Sequence, residues 1–449
     1  MEVTDFSKGS VKRNIVRLAV PMTLAQLINI LYNIVDRIYI GRLGEGNALA
    51  LTGLGVCLPI ITMISAFANL AGGGAPLFSI ERGKGDEKEA EAIMANSFSL
   101  LLLFGVVLTV LGLVLKKPLL YLLGASDATY PYANSYLTIY LLGSVFVLIS
   151  LGMNNFINAQ GFGKTGMFTV IIGAGVNLVL DPIFIFVLDM GVQGAAIATV
   201  LSQGVAALWT LRFLFGKKAV IKLRLERMRI KAARVGKILG LGMSGFTMAV
   251  TNSLVQMVCN STLQSYGGDV YVGVMTIINS VREVAQMPVW GISSGAQPVM
   301  GYNYGAGRND RVKQSVSFMS VTMILYTLAV WLLIFLFPRF FLGVFSNDLQ
   351  VIEAGVSCLH IYFFGFFMMA LQYAGQSTFT GLGFSKYAVF FSIFRKVVIV
   401  VPLTLLLPKI ATLGVSGVFM AEPISNFIGG GACFATMYLV VYRKMKRSE

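Results

Sequence analysis

The chain has 449 residues, 56% of them hydrophobic and 12% charged, with a formal net charge of +15. A soluble fold of that size must turn part of its surface to water and cannot hide so much apolar side chain, whereas a chain solvated by lipid has no such limit. The positive charge would raise the question of nucleic acid in a soluble protein. Here it gathers at the ends, at Lys8, Lys12, Arg13 and Arg17 and again at Arg443, Lys444, Lys446 and Arg447, as cytoplasmic segments of a membrane protein do.

A helix needs about 20 apolar residues to cross the hydrocarbon, and such stretches follow one another along the chain. The predicted spans are Ile15–Ile40, Leu49–Ile80, Ile93–Leu115, Tyr132–Phe156, Met167–Leu188 and Gly194–Phe215. After a polar linker come Val235–Leu263, Val270–Gly301, Ser315–Phe337, Ile352–Phe379, Tyr387–Leu407 and Val415–Tyr442. The first stretch runs on as a full span rather than as a cleaved leader. Basic ends place both termini in the cytoplasm of a multi-pass cell-membrane protein, which requires an even number of crossings. The loops around Arg82, Lys84 and Lys88, Lys164, Arg308, Arg311 and Lys313, and Lys386 then fall inside; Lys116 and Lys117 are the exception and are read as snorkelling at the interface. The linker, Gly216 to Lys237, is dense in Lys and Arg with Val220, Ile221 and Leu223 interspersed, and is expected to form an amphipathic helix on the inner leaflet. Cys57, Cys259, Cys358 and Cys433 lie in apolar stretches and are read as free core thiols.

The two halves repeat. Shifting the sequence by 220 to 223 residues lays Pro21–Gly44 over Ser244–Gly267, Gly74-Ala75 over Gly295-Ala296, and Arg82–Gly85 over Tyr304–Gly307. It also lays Gly161–Gly163 over Gly381–Gly383 and Gly191–Gly194 over Gly414–Gly417. Six spans per copy is even, so the copies are parallel repeats about an axis along the membrane normal, with a cargo site expected near the midplane. The expected fold is all-α, twelve helices in two six-helix bundles: an amino-terminal lobe at 1–215, the linker at 216–234 and a carboxy-terminal lobe at 235–449.

Charged and polar groups inside spans are costly and point to function. The first span carries Asn33, Asp36 and Arg37; the fifth carries Asn177 and Asp181 at i,i+4, on one helix face; the sixth carries Thr199. These oxygens could coordinate a dehydrated Na⁺, or the acids could trade a proton. Under the repeat offset Asp36 falls on Cys259, Asp181 on Val401 and Thr199 on Glu422. Scaffold residues should recur in both copies while a specialised site need occur once, so the two acids read as functional. Glu422 with Glu283 and Arg282 forms a possible second-lobe site, which an internal ion pair explains equally well. Aromatic faces hold organic cations and methionines repack around varied shapes. Tyr32, Tyr136, Tyr140, Gln256, Met275, Met287 and Glu283 are the candidate cargo contacts. Gly161–Thr165 lacks the first glycine of a phosphate-binding loop and is read as a cytoplasmic turn. His360 is read as a hydrogen-bonded interior residue. Without a nucleotide motif, metal cluster or nucleophile elbow, neither ATP-driven transport nor enzymatic activity is expected, and no cofactor beyond a coupling ion.

Several of these motifs together are similar to those of the multidrug and toxic compound extrusion (MATE) family, in its MepA-like or DinF-like branch. They are Pro21 with Asn33 and Asp36, the glycine loops Arg82–Asp86 and Tyr304–Arg308, Gln160–Lys164, Asn177 through Asp181-Pro182, and the pair Gly191–Gly194 and Gly414–Gly417. The resemblance runs over nearly the whole chain. It implies a V-shaped pair of six-helix bundles that exchanges drugs against Na⁺ or H⁺, with the cation site of the first lobe at Asp36, Asn177, Asp181 and Thr199. Some members place a Glu on the seventh helix eight residues after a proline; here those positions read Asn252 and Ser244, a departure that favours coupling through the first lobe. The expected activity is export of cationic aromatic compounds by alternating access, by a chain acting as a monomer in the bilayer with no nucleic-acid or nucleotide partner. The alternative is a flippase for lipid-linked sugars, for which Arg37, Arg282, Arg395 and Lys396 would serve as anion-binding groups.

Overall fold

A computed structural model describes residues 3–40, 47–346, 348–410 and 412–445. Gly44, Lys446, Arg447 and the side chain of Arg37 lie outside the described residues. Among those residues nine helices are long and apolar enough to cross a membrane, or eleven when two bent pairs are each taken as one span. The longest, Ala232–Gly305, is two helices joined at Gly268 (φ 65°, ψ −164°), a conformation open essentially to glycine alone. With that break counted, each of the twelve expected spans has its counterpart.

The repeat is visible in the backbone. The two bent pairs are Tyr130–Leu142 with Ser144–Ala159, bent by 55°, and Leu349–Phe363 with Phe366–Gly381, bent by 43°; they are the fourth and tenth spans, equivalent members of the two halves. Left-handed glycines recur at Gly85 and Gly307, Gly161 and Gly383, and Gly191 and Gly414. These pairs correct one register of the sequence alignment. Gly161 matches Gly383, not Gly381, because both take positive φ immediately before helices that start at Gly163 and Ser385. Asp181 then falls on Leu403 in place of Val401, apolar in either register.

Helix Glu87–Leu122 illustrates how the spans are specified. Asp86 starts it by accepting from the Glu89 amide (2.9 Å), and Glu87 and Glu89 complement the positive end of the helix. Further along, Val106, Val110 and Val114 line an exposed stripe at helical spacing while Leu100, Leu101 and Gly105 are buried. A branched apolar face toward solvent is tolerable only where the solvent is lipid.

Compact packing divides the chain differently from the expected lobes. One unit is residues 1–5 and 24–246, the other 6–23 and 247–449. The cut falls inside the first helix and inside Ala232–Gly305, at equivalent places in the two repeats, so each unit takes the start of one helix from the other half of the sequence. Glycines permit this. A Cβ on Gly242 would stand 1.9 Å from the Leu70 carbonyl oxygen, and one on Gly295 would stand 2.7 Å from the Ala19 nitrogen.

The linker departs from expectation. Only a single 3₁₀ turn, Leu225–Arg227, interrupts an otherwise irregular path. Tertiary bonds hold it to helix Glu87–Leu122 instead of helical ones. Asn96, fully buried, donates to the carbonyls of Arg227 (3.1 Å) and Arg229 (3.2 Å) and accepts from the Lys231 amide (3.2 Å). Ser99 donates to the Met228 carbonyl (3.0 Å), and Arg234 pairs with Glu89 (2.6 Å). Ile221 and Leu223 are buried against the same unit.

Candidate functional site

In the first unit, helix Gly163–Pro182 presents Asn177 and Asp181 one turn apart on its inner face, 2% and 1% exposed. Asn177 Nδ2 donates to Asp181 Oδ1 over 3.1 Å, which leaves the Asn177 carbonyl oxygen as a ligand. Asp181 Oδ2 is buried with no hydrogen-bond donor among the described residues. Pro182 follows, and the next turn, Ile183–Val187, widens to a π-helix. A proline supplies no N–H and crowds the carbonyl one turn back, and such widened turns concentrate at functional sites.

Asp36, on the part of the first helix that belongs to this unit, brings its carboxyl group within hydrogen-bonding reach of Asp181. Two ionised carboxylates have no proton to offer one another and repel in a buried site; a proton between them or a cation across them relieves the repulsion. Tyr32 and Tyr136 stand near the pair, and Tyr136 lies beside Thr199 on helix Gly191–Phe215. Tyr136 and Tyr140 are buried and stacked, with ring centroids 6.2 Å apart. Thr199 Oγ1 donates to the Ala195 carbonyl (2.9 Å) and keeps its lone pairs for accepting. Carboxylate, amide and hydroxyl oxygens of this kind fit a hard monovalent cation or a proton.

Four of the five residues expected to handle the cation are thus gathered in one unit. Asn33 lies in the same unit but makes no bond to the acids among the described residues. It is exposed, and its amide donates to the Asn29 carbonyl of its own helix at 2.7 Å. Of the cargo candidates, Tyr32 and Tyr136 stand near the acids with Tyr140 stacked on Tyr136, while Gln256 and Met275 line a cavity of the second unit. Met287 is buried packing. Glu283 is exposed and lies outside that cavity, and its expected partner Arg282 turns instead toward Glu422, 3.9 Å away. Successive residues on a helix point about 100° apart, so the two cannot share a face.

Sequence reasoning missed the company that Glu422 keeps. Arg395 and Lys396, placed by the π-helical turn Phe394–Val400, both bond it, Lys396 Nζ at 3.2 and 3.3 Å from its two carboxylate oxygens. The available signal was the acid–proline step: Glu422-Pro423 opens onto a π-helical turn, Asn426–Gly430, as Asp181-Pro182 does in the first half. His360 bonds the Phe335 carbonyl at 3.0 Å.

The chain is 23% identical over 442 residues to the multidrug export protein MepA of Staphylococcus aureus (strain MRSA252), covering 97% of this chain and 95% of that one. It is also 23% identical over 437 residues to MepA of Staphylococcus saprophyticus, with 97% and 95% covered. Among solved structures, an outward-facing multidrug resistance MATE family transporter of the MOP superfamily superposes with a TM-score of 0.92 at 25% identity, covering 100% of this chain and 99% of that one. The family model MatE matches residues 21–183 and 232–406, most of both repeats, and the chain belongs to that family of membrane transporters.

Proposed function

We propose that this protein exports cationic aromatic compounds from the cell in exchange for Na⁺ or H⁺, with Asp36 and Asp181 as the coupling acids. The observation that carries the reading is the meeting of these two carboxyl groups with Asn177 inside one unit, next to Tyr32 and Tyr136. With both acids ionised the unit is electronegative and attracts a cationic cargo from the cytoplasm, where both termini also lie. A cation taken up from outside neutralises the acids, and the cargo loses part of its hold and leaves. Cargo and coupling ion must therefore weaken each other's binding, by reciprocity. The export named for the staphylococcal relatives agrees with this direction.

The test is ethidium efflux from proteoliposomes with Na⁺ and proton gradients imposed separately. One gradient should drive efflux, and Asp36→Asn should abolish the gradient-driven part. If protons couple, ethidium affinity falls as pH drops and the acids protonate; if Na⁺ couples, it falls on adding Na⁺ at constant pH. Efflux under neither gradient sinks the exchanger and favours the flippase.

A further inference from the structure

The second unit holds a buried charge cluster that the coupling reading does not use. Arg395 and Lys396 have side chains 6% and 9% exposed, Glu422 7%, and Arg282 24%. Three cations thus surround one carboxylate, and the oxygens of that carboxylate are taken up by Arg395 and Lys396. Arg282 is left over. Its Nη1 stands 3.9 Å from Glu422 Oε1, beyond hydrogen-bond range, and its buried Nε has no partner among the described residues. Arg282, Lys396 and Glu422 share the wall of a small cavity of ≈ 20 Å³, and Glu422 is the only acid in that wall among the described residues. Tyr362, Gln256 and Asn279 complete its polar lining, each with a hydrogen to donate. A space of that size takes one water-sized guest and no organic group. Water would serve the donors but leave the charge uncompensated, and buried cations are costly until an anion joins them.

We infer that this cavity is a halide site, in which one chloride ion rests between the Arg282 guanidinium and the Lys396 ammonium as a resident part of the fold and not as cargo. Size and charge together select the ion. Chloride is only slightly larger than a water molecule, and it accepts hydrogen bonds from any side without a matched geometry. Carboxylates and phosphates bring several atoms and exceed the space. Glu422 in the same wall repels an anion, but its oxygens are already held by Arg395 and Lys396, so the surplus cations set the sign of the field. The ion therefore offsets part of that surplus and ties together segments distant in the sequence. This inference depends neither on what is exported nor on which ion couples.

The experiment is thermal unfolding of the purified full-length chain in detergent, in sodium chloride, sodium bromide or sodium gluconate at one concentration and one pH. Constant sodium and pH keep the acids of the first unit in the same state throughout. Chloride and bromide should each raise the melting temperature by about 4 °C over gluconate, and the rise should saturate as halide is titrated in, as for a ligand bound only by the folded chain. Arg282→Gln should lose the rise, and Arg282→Lys should keep part of it. Crystals grown in bromide should show an anomalous peak in the cavity between Arg282 and Lys396, a result that needs no variant to fold. Equal melting in the three salts overturns the inference, since the cavity then takes an ordered water only. So does a rise that survives Arg282→Gln, or bromide found only elsewhere. Failure of gradient-driven ethidium efflux would instead strike the export reading and leave the halide dependence standing.

Discussion

In the first unit two carboxyl groups meet; in the second, three cations crowd one acid. The acid–proline step and widened turn beside each group fall on helices that are not counterparts, the fifth span in the first half and the twelfth in the second. Duplication supplied the same helices twice, and the charges put into them took opposite signs. The first group sets like charges against each other, which the proposed uptake of a cation or a proton would relieve. The second sets three cations around Glu422. One repeated scaffold therefore accommodates buried groups of either sign, because helix packing depends on glycine contacts and apolar faces that tolerate either charge.

The comparison is broken most directly by exchanging acids for amides, which should have opposite effects on stability in the two units. Asp181→Asn removes a repulsion, so the protein should melt at the same or a higher temperature in detergent, while gradient-driven efflux drops by about 100-fold. Glu422→Gln removes the only carboxylate among the described residues that neutralises three buried cations. It should cost about 3 to 5 kcal/mol, read as a clear fall in melting temperature. If Asp181→Asn were the more destabilising of the two, Asp36 and Asp181 would be a packing bond and the coupling reading would fail.

Gly268→Ala gives a smaller effect of purely conformational origin. A Cβ there meets nothing within 4 Å, so only the backbone angle opposes it. The cost should be about 2 kcal/mol in thermal unfolding. A neutral result would mean that the turn between the two helices relaxes without loss, and that the charge clusters can be compared free of strain.

The spans, the repeat and the placement of Asn177 and Asp181 on one helix face were legible because each rests on a local pattern: runs of apolar residues, recurring glycines, and polar side chains at i,i+4. Asn177 and Asp181 could be placed on one face from spacing alone. The basic cluster was not legible, because its members come from three distant segments and Arg282 had a nearer sequence neighbour in Glu283. Asn33 misled for a related reason. An amide in a span reads as a ligand, but a helix offers its own carbonyl four residues back. The division into units could not be read either, since nothing in a continuous helix marks where its packing partner changes.

The linker provides the gentlest test of whether the two units respond separately. Its irregular path, from Gly216 to Lys231, depends on Asn96, which satisfies two carbonyls and one amide of a segment without regular hydrogen bonds of its own. In Asn96→Ala those groups turn to water, which their partly exposed surroundings allow, so the loss should be about 1 kcal/mol. Trypsin should then cut faster among Lys217, Lys218, Lys222 and Arg224, because cleavage needs the strand to leave the helix it lies on. The ion pairs of Glu89 and Glu91 with Arg234 and Arg227 remain and keep the effect modest. All these contacts belong to the first unit, so the loss should add to that of Glu422→Gln in the second unit while proteolysis accelerates. A double variant whose losses failed to add would show that the two units do not respond separately.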